Sequence, residues 1–97
     1  MEKTVWKYPL ETTGDLRIEM PVGAEILTVQ NQMEVPCIWA LVNPEAKTEM
    51  RYFRIYGAGH PVINKVVKGN YIGNYQLQSG CLIFHVFEYP KIILDIK

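Results

Sequence analysis

A chain of 97 residues has room for one domain and one core. Its ten basic and ten acidic side chains cancel, and 48% of its residues are hydrophobic. That balance excludes a disordered chain and disfavours general nucleic-acid binding, which draws on a basic excess to hold phosphates. No apolar run nears the roughly 20 residues that span a bilayer, and the opening MEKTVWKYPL lacks the apolar stretch of a signal peptide. A cytosolic protein with no membrane contact is therefore expected. In that compartment Cys37 and Cys81 are expected as reduced thiols in the core. Two cysteines and two histidines without CxxC or HxxxH spacing specify no zinc site, and no cofactor is implied.

Taken in order, residues 3–8 alternate weakly and read as a strand closed by Pro9, with Thr4, Trp6 and Tyr8 on one face. Residues 10–15 carry turn chemistry around Gly14 and Asp15. Leu16, Ile18 and Met20 alternate with Arg17 and Glu19, the pattern of a half-buried strand. Pro21 and Gly23 break it. Glu25 to Gln30 makes the next strand, with Leu27 and Val29 on one face and Ile26 and Thr28 on the other. The spacing from Leu16 to Val29 predicts a hairpin, with Asn31 to Glu34 as the following turn.

Residues 35–42, VPCIWALV, are almost continuously apolar, so this strand is expected to be covered on both faces and central. Pro36 then belongs at its start or at a bulge. PEAKTE (44–49) is a polar loop or a single helical turn. Met50 to Tyr56 alternates again, and residues 62–70 fit either a short strand or a loop. In Tyr71 to Leu77 the residues Tyr71, Gly73, Tyr75 and Leu77 share a face. Gln78-Ser79-Gly80 forms a hairpin turn. Residues 81–89, CLIFHVFEY, make a second central strand. After Pro90, KIILDI forms a last strand or tail. It would be hazardous as an exposed edge, so it is tucked in or pairs with another copy, and a homo-oligomer is expected. No helical period persists. The whole chain, 1–97, reads as a single all-β domain: a small antiparallel β-sandwich or barrel of seven to eight short strands.

The densest chemistry lies in YFRIYGAGHPV (52–62). Tyr52, Arg54 and Tyr56 alternate onto one face, and Phe53 and Ile55 onto the other. Aromatic rings can stack on a base, and an arginine fork can grip a phosphate. Gly57 and Gly59 offer backbone N–H groups for an anion nest, and His60 adds a donor. These six residues make a candidate site for a small anionic ligand, of the cyclic-nucleotide type. The plainer structural alternative is cross-strand aromatic pairing beside an ordinary glycine turn. A ligand site calls for a concave pocket, whereas an interaction face can be flat.

Catalysis has less support. Cys81 and His85 share a face but stand four residues apart along a strand, about 13 Å, too far for a dyad. His85, among Cys81, Ile83 and Phe87, is expected as a core or subunit-contact histidine. Glu11, Asp15, Glu88 and Asp95 read as solvated charges. No nucleophile elbow, HExxH, Walker loop or EF-hand pattern is present.

The pieces WKYPL (6–10), VPCIWALVNPEA (35–46), FRIYGAGHPV (53–62), YIGNYQL (71–77) and LIFHVFE (82–88) resemble, in that order, a family of small phage and prophage proteins carrying a domain of unknown function. The likeness runs from Lys3 to Glu88. Asn43-Pro44 stands where the family pattern has aspartate-proline, and the tail from Tyr89 looks extra. No catalytic residues are carried over. The resemblance implies a context: small accessory phage proteins often oppose host defence, by blocking a host protein or by sequestering a nucleotide signal within an oligomer. A virion component or a nucleotide-processing enzyme using His60 are the lesser alternatives.

Overall fold

The computed structural model of the chain describes residues 2–12, 14–59 and 69–90. Seven strands run through them: β1 (Thr4–Pro9), β2 (Asp15–Pro21), β3 (Glu25–Gln32), β4 (Val35–Val42), β5 (Thr48–Gly57), β6 (Asn70–Leu77) and β7 (Leu82–Tyr89). Every pairing is antiparallel. The strands form two sheets, ordered β1-β4-β3 and β2-β5-β7-β6. No helix occurs among the described residues. The possible strand or loop over 62–68, His60, and the tail over 91–97 lie outside them.

The two near-continuous apolar runs, β4 and β7, are each flanked by strands on both sides. Their inward residues Ile38, Ala40, Val42 and Val86 are fully buried. They meet Met20, Val29, Phe53, Ile55 and Tyr75 in one core between the sheets. Proline at position 36 is accommodated near the start of β4, where its carbonyl accepts a 2.8 Å hydrogen bond from Leu10 N–H.

Three expectations are overturned, each by packing at a distance in sequence. First, β2 and β3 do not form a hairpin. β2 pairs with β5 and β3 with β4, so the Val22–Ala24 turn carries the chain from one sheet to the other. Second, the alternation in β3 breaks at a bulge between Ile26 and Thr28. Ile26 and Val29 both turn inward, and Leu27 is left exposed. Third, a bulge between Tyr71 and Gly73 splits the face expected for β6. Tyr71 stands opposite Phe87 on the outer side, while Tyr75 is buried. Both bulged strands are sheet edges, and they pack on each other. An extra residue re-aims side chains on an edge strand. Here it turns both edges toward a shared seam, where Asn31 Nδ2 donates to Gln76 O at 2.6 Å. The seam is tight at Gly73, where a Cβ would sit 3.0 Å from Val29 Cγ1.

Two single-residue expectations also change. Cys37 is buried but Cys81 is exposed, because it lies in the turn before β7 rather than within the strand. Glu88 is not a solvated charge. It faces inward and takes a bidentate pair from Arg51, Nη2 to Oε1 at 3.0 Å and Nε to Oε2, both side chains being under 20% exposed. Arg51 also donates through Nη1 to Ala24 O at 2.9 Å. The hydrogen bonds that Arg51 donates to Glu88 raise its pKa although burial opposes it.

The β3–β4 hairpin closes through Met33-Glu34, since Gln32 pairs with Val35. Both residues hold positive φ, 50° and 71°. A two-residue loop of this kind suits Asn-Gly, and other residues are strained there by about 1 kcal/mol or more each.

Three outcomes are expected. Met33→Asn combined with Glu34→Gly should stabilise the fold by about 1–2 kcal/mol, read as a higher urea midpoint at unchanged slope. Glu88→Ala should cost about 2–4 kcal/mol, because Arg51 is left half-buried without its partner; the double variant Arg51→Met/Glu88→Leu should cost less than the two singles combined. Tyr8 carries a buried hydroxyl oxygen with no hydrogen-bond partner among the described residues, and burial raises its pKa. Tyr8→Phe should therefore leave stability equal or raise it by up to about 1 kcal/mol. The same group ionises more readily unfolded, near pH 10, than folded. Its stabilisation is full below pH 10 and is lost as pH rises toward the folded value, so Tyr8→Phe should soften alkaline unfolding above pH 10.

Candidate functional site

The inward burial of Phe53 and Ile55 sends Tyr52, Arg54 and Tyr56 to the outer face of the four-stranded sheet. The three share that face and are half-buried. Cross-strand register sets their neighbours: Tyr52 stands opposite Tyr89, Arg54 opposite Phe87 and Asp15, and Tyr56 opposite His85. Sequence reading did not anticipate this company. The signal was the alternation of His85, Phe87 and Tyr89, which mirrors that of Tyr52, Arg54 and Tyr56, but the pairing of the two strands is not visible locally.

The rings form a connected network. Tyr56 and Tyr71 each meet Phe87 edge-on, with centroids 5.6 and 5.1 Å apart. Such contacts favour the positive ring edge over the negative ring face. Phe87 lies 6.1 Å from Tyr89, and Tyr71 lies 5.8 Å from His85. The Tyr71 hydroxyl and His85 Nδ1 share a 2.8 Å hydrogen bond, so His85 is an outer-face residue and not a core one. Tyr71 is the most open ring of the set, at 49% exposure.

Arg54 is already engaged. Its Nε donates to Asp15 Oδ1 at 2.6 Å, and its guanidinium carbon lies 5.7 Å from the centre of the Tyr89 ring. Burial works against its charge, yet hydrogen bonds to Tyr56 and Asp15 leave its pKa raised. Tyr89 is only 2% exposed although it faces outward, because Gly69 packs directly on its ring; a Cβ there would overlap it. That burial and the neighbouring Tyr56 hydroxyl, 3.4 Å away, push the Tyr89 pKa up.

The glycine turn lies at the end of β5. Gly57 belongs to the strand, opposite Phe84, and Gly59 takes φ 86°. Between them, Ala58 N–H donates to Ile83 O at 3.0 Å, so this amide is committed to the sheet rather than to an anion nest. Of the six residues singled out from sequence, five are described. Tyr52, Arg54 and Tyr56 are brought together on the sheet face, Gly57 and Gly59 flank the turn beyond, and His60 lies outside the described residues.

Concavities lined by described residues include two. One, of about 660 Å³, lies between the start of β1 and the Pro44-Glu45 loop, lined by Glu2, Lys3, Thr4, Pro44 and Glu45. The other, of about 280 Å³, lies beside the glycine turn and is lined by Gly57, Ala58, Cys81, Leu82, Ile83 and Phe84. Neither is lined by Tyr52, Arg54 or Tyr56. No group of three or more metal-ligating side chains occurs among the described residues, and no helix long and apolar enough to cross a membrane occurs among them.

No curated protein and no solved structure matches the chain. A family model described as a domain of unknown function, DUF7352, matches residues 1–93, extending past both ends of the likeness read from sequence. That family has no assigned activity. With all but the last four residues covered, the chain belongs to the DUF7352 family.

Proposed function

We propose that this domain is a non-catalytic binding module whose working surface is the outer face of the four-stranded sheet, and that its partner is a protein. The observation that carries the reading is the ring network of Tyr56, Tyr71, His85 and Phe87 on an outward sheet face. Tyrosine rings with polar tips, beside an arginine, are the side chains from which interface hot spots are built. They are already held in place by their neighbours, so docking would freeze few rotamers. The likeness to small phage proteins suggests that the partner is a host protein and that binding serves counter-defence.

A second reading is the small anionic ligand, favoured by the position of Arg54 between a tyrosine hydroxyl and a tyrosine ring. The Asp15 carboxylate on the same guanidinium weighs against it, since an incoming anion must compete with that charge.

The test is co-purification from host cells of the wild-type chain and of Tyr56→Ala/Tyr71→Ala, with circular dichroism to verify the variant's fold. A stoichiometric protein held by the wild type and lost by the folded variant is the expected result. Equal retention by both would assign the contact to another surface. Calorimetry against cyclic nucleotides and cyclic ADP-ribose isomers separates the second reading: heat that disappears in Arg54→Ala would favour the ligand over the protein partner.

A further inference from the structure

We propose that two copies of this chain associate end to end, Met33 of each inserting into the apolar groove beside the glycine turn of the other. Three observations converge on it. Met33 is 91% exposed at the tip of the β3–β4 hairpin, the most exposed of the large hydrophobic side chains described. It is presented by a turn in which neither Met33 nor Glu34 suits its backbone, with φ of 50° and 71°. The β6–β7 turn holds Gln78 and Ser79 in the same region, at φ 53° and 56°, so it is the exposure of Met33 that sets this tip apart. A methionine in such a position is a flexible, polarisable knob suited to irregular apolar gaps.

The matching hole is the 280 Å³ groove, whose walls are Ala58, Cys81, Leu82, Ile83 and Phe84 above Gly57. Leu82 and Ile83 are themselves 41% and 38% exposed, so the groove presents apolar surface that a knob would cover. Knob and hole lie at the same end of the sandwich. Asn31, two residues before Met33, bonds to Gln76 O; Gln76 pairs with Ile83; and Ile83 O accepts Ala58 N–H. A surface that carries both members of a complementary pair at one end can close reciprocally about a two-fold axis, burying both knobs without leaving an open filament end. The groove is then completed only by the partner copy.

Equilibrium sedimentation from about 1 µM to 1 mM reads the association, and Met33→Asn is the informative variant. Asparagine suits the left-handed turn, so the variant should unfold at a higher urea concentration than wild type while its dimer dissociation constant rises at least about tenfold. Loss of folding cannot produce that pair of changes. Ile83→Asp should weaken the dimer similarly from the groove side. Met33→Cys, oxidised with copper phenanthroline, should form a covalent dimer through the exposed Cys81, and Met33→Cys/Cys81→Ser should not. A wild-type chain that stays monomeric to 1 mM overturns the proposal. So does a dimer whose dissociation constant Met33→Asn leaves unchanged.

Discussion

The pleat of β5 is the constraint on which the rest of the structure depends. Phe53 and Ile55 must be buried against Val86, Met20 and the three-stranded sheet, because they are the large apolar groups at the centre of the chain's only described core. A strand has two faces and a period of two. Once that pair is inside, Tyr52, Arg54 and Tyr56 have no choice but the outer face. The same applies to β7, where burying Val86 sends His85 and Phe87 outward. Antiparallel register then sets the two outward rows side by side, and the aromatic network follows from burial on the opposite side of the sheet.

The outer face is thus neither a core nor an ordinary solvated surface. Its rings are held by edge-on contacts and by hydroxyl hydrogen bonds, and its arginine is pinned by a carboxylate and a ring. The proposed protein-binding role rests on these rigid aromatics with polar edges.

Where the two sheets come together, regular alternation gives way. β3 and β6 are edge strands that pack on each other, and each carries one bulge. An edge strand that kept perfect pleating would turn half its apolar residues to solvent along the seam. The bulges bring Ile26 and Val29 to the same side, and they separate Tyr71 from Tyr75, one to the ring network and one to the core. The seam therefore couples the sandwich to its outer face, since without the β6 bulge Tyr71 would not reach Phe87 and His85.

Much of this was legible in the residues. VPCIWALV and CLIFHVFEY read as central strands, and the sheet order agrees, though Cys81 falls outside β7 and the expected cover on both faces is only partial: Trp39 and Leu41 stay half-buried, and Leu82 and Ile83 are exposed. The common face of Tyr52, Arg54 and Tyr56 was legible too, because pleating is a local property of an extended backbone. What surrounds those residues was not. Asp15, Tyr71, His85, Phe87 and Tyr89 reach Arg54 or its neighbours through pairings between residues 14 to 39 positions apart. The inward Arg51–Glu88 pair, the pairing of β2 with β5 in place of β3, and the placement of the Met33 turn and the Ile83 groove at one end have the same origin. Local chemistry assigns each side chain to a face; only the competition to bury apolar surface among distant strands decides which faces stand together.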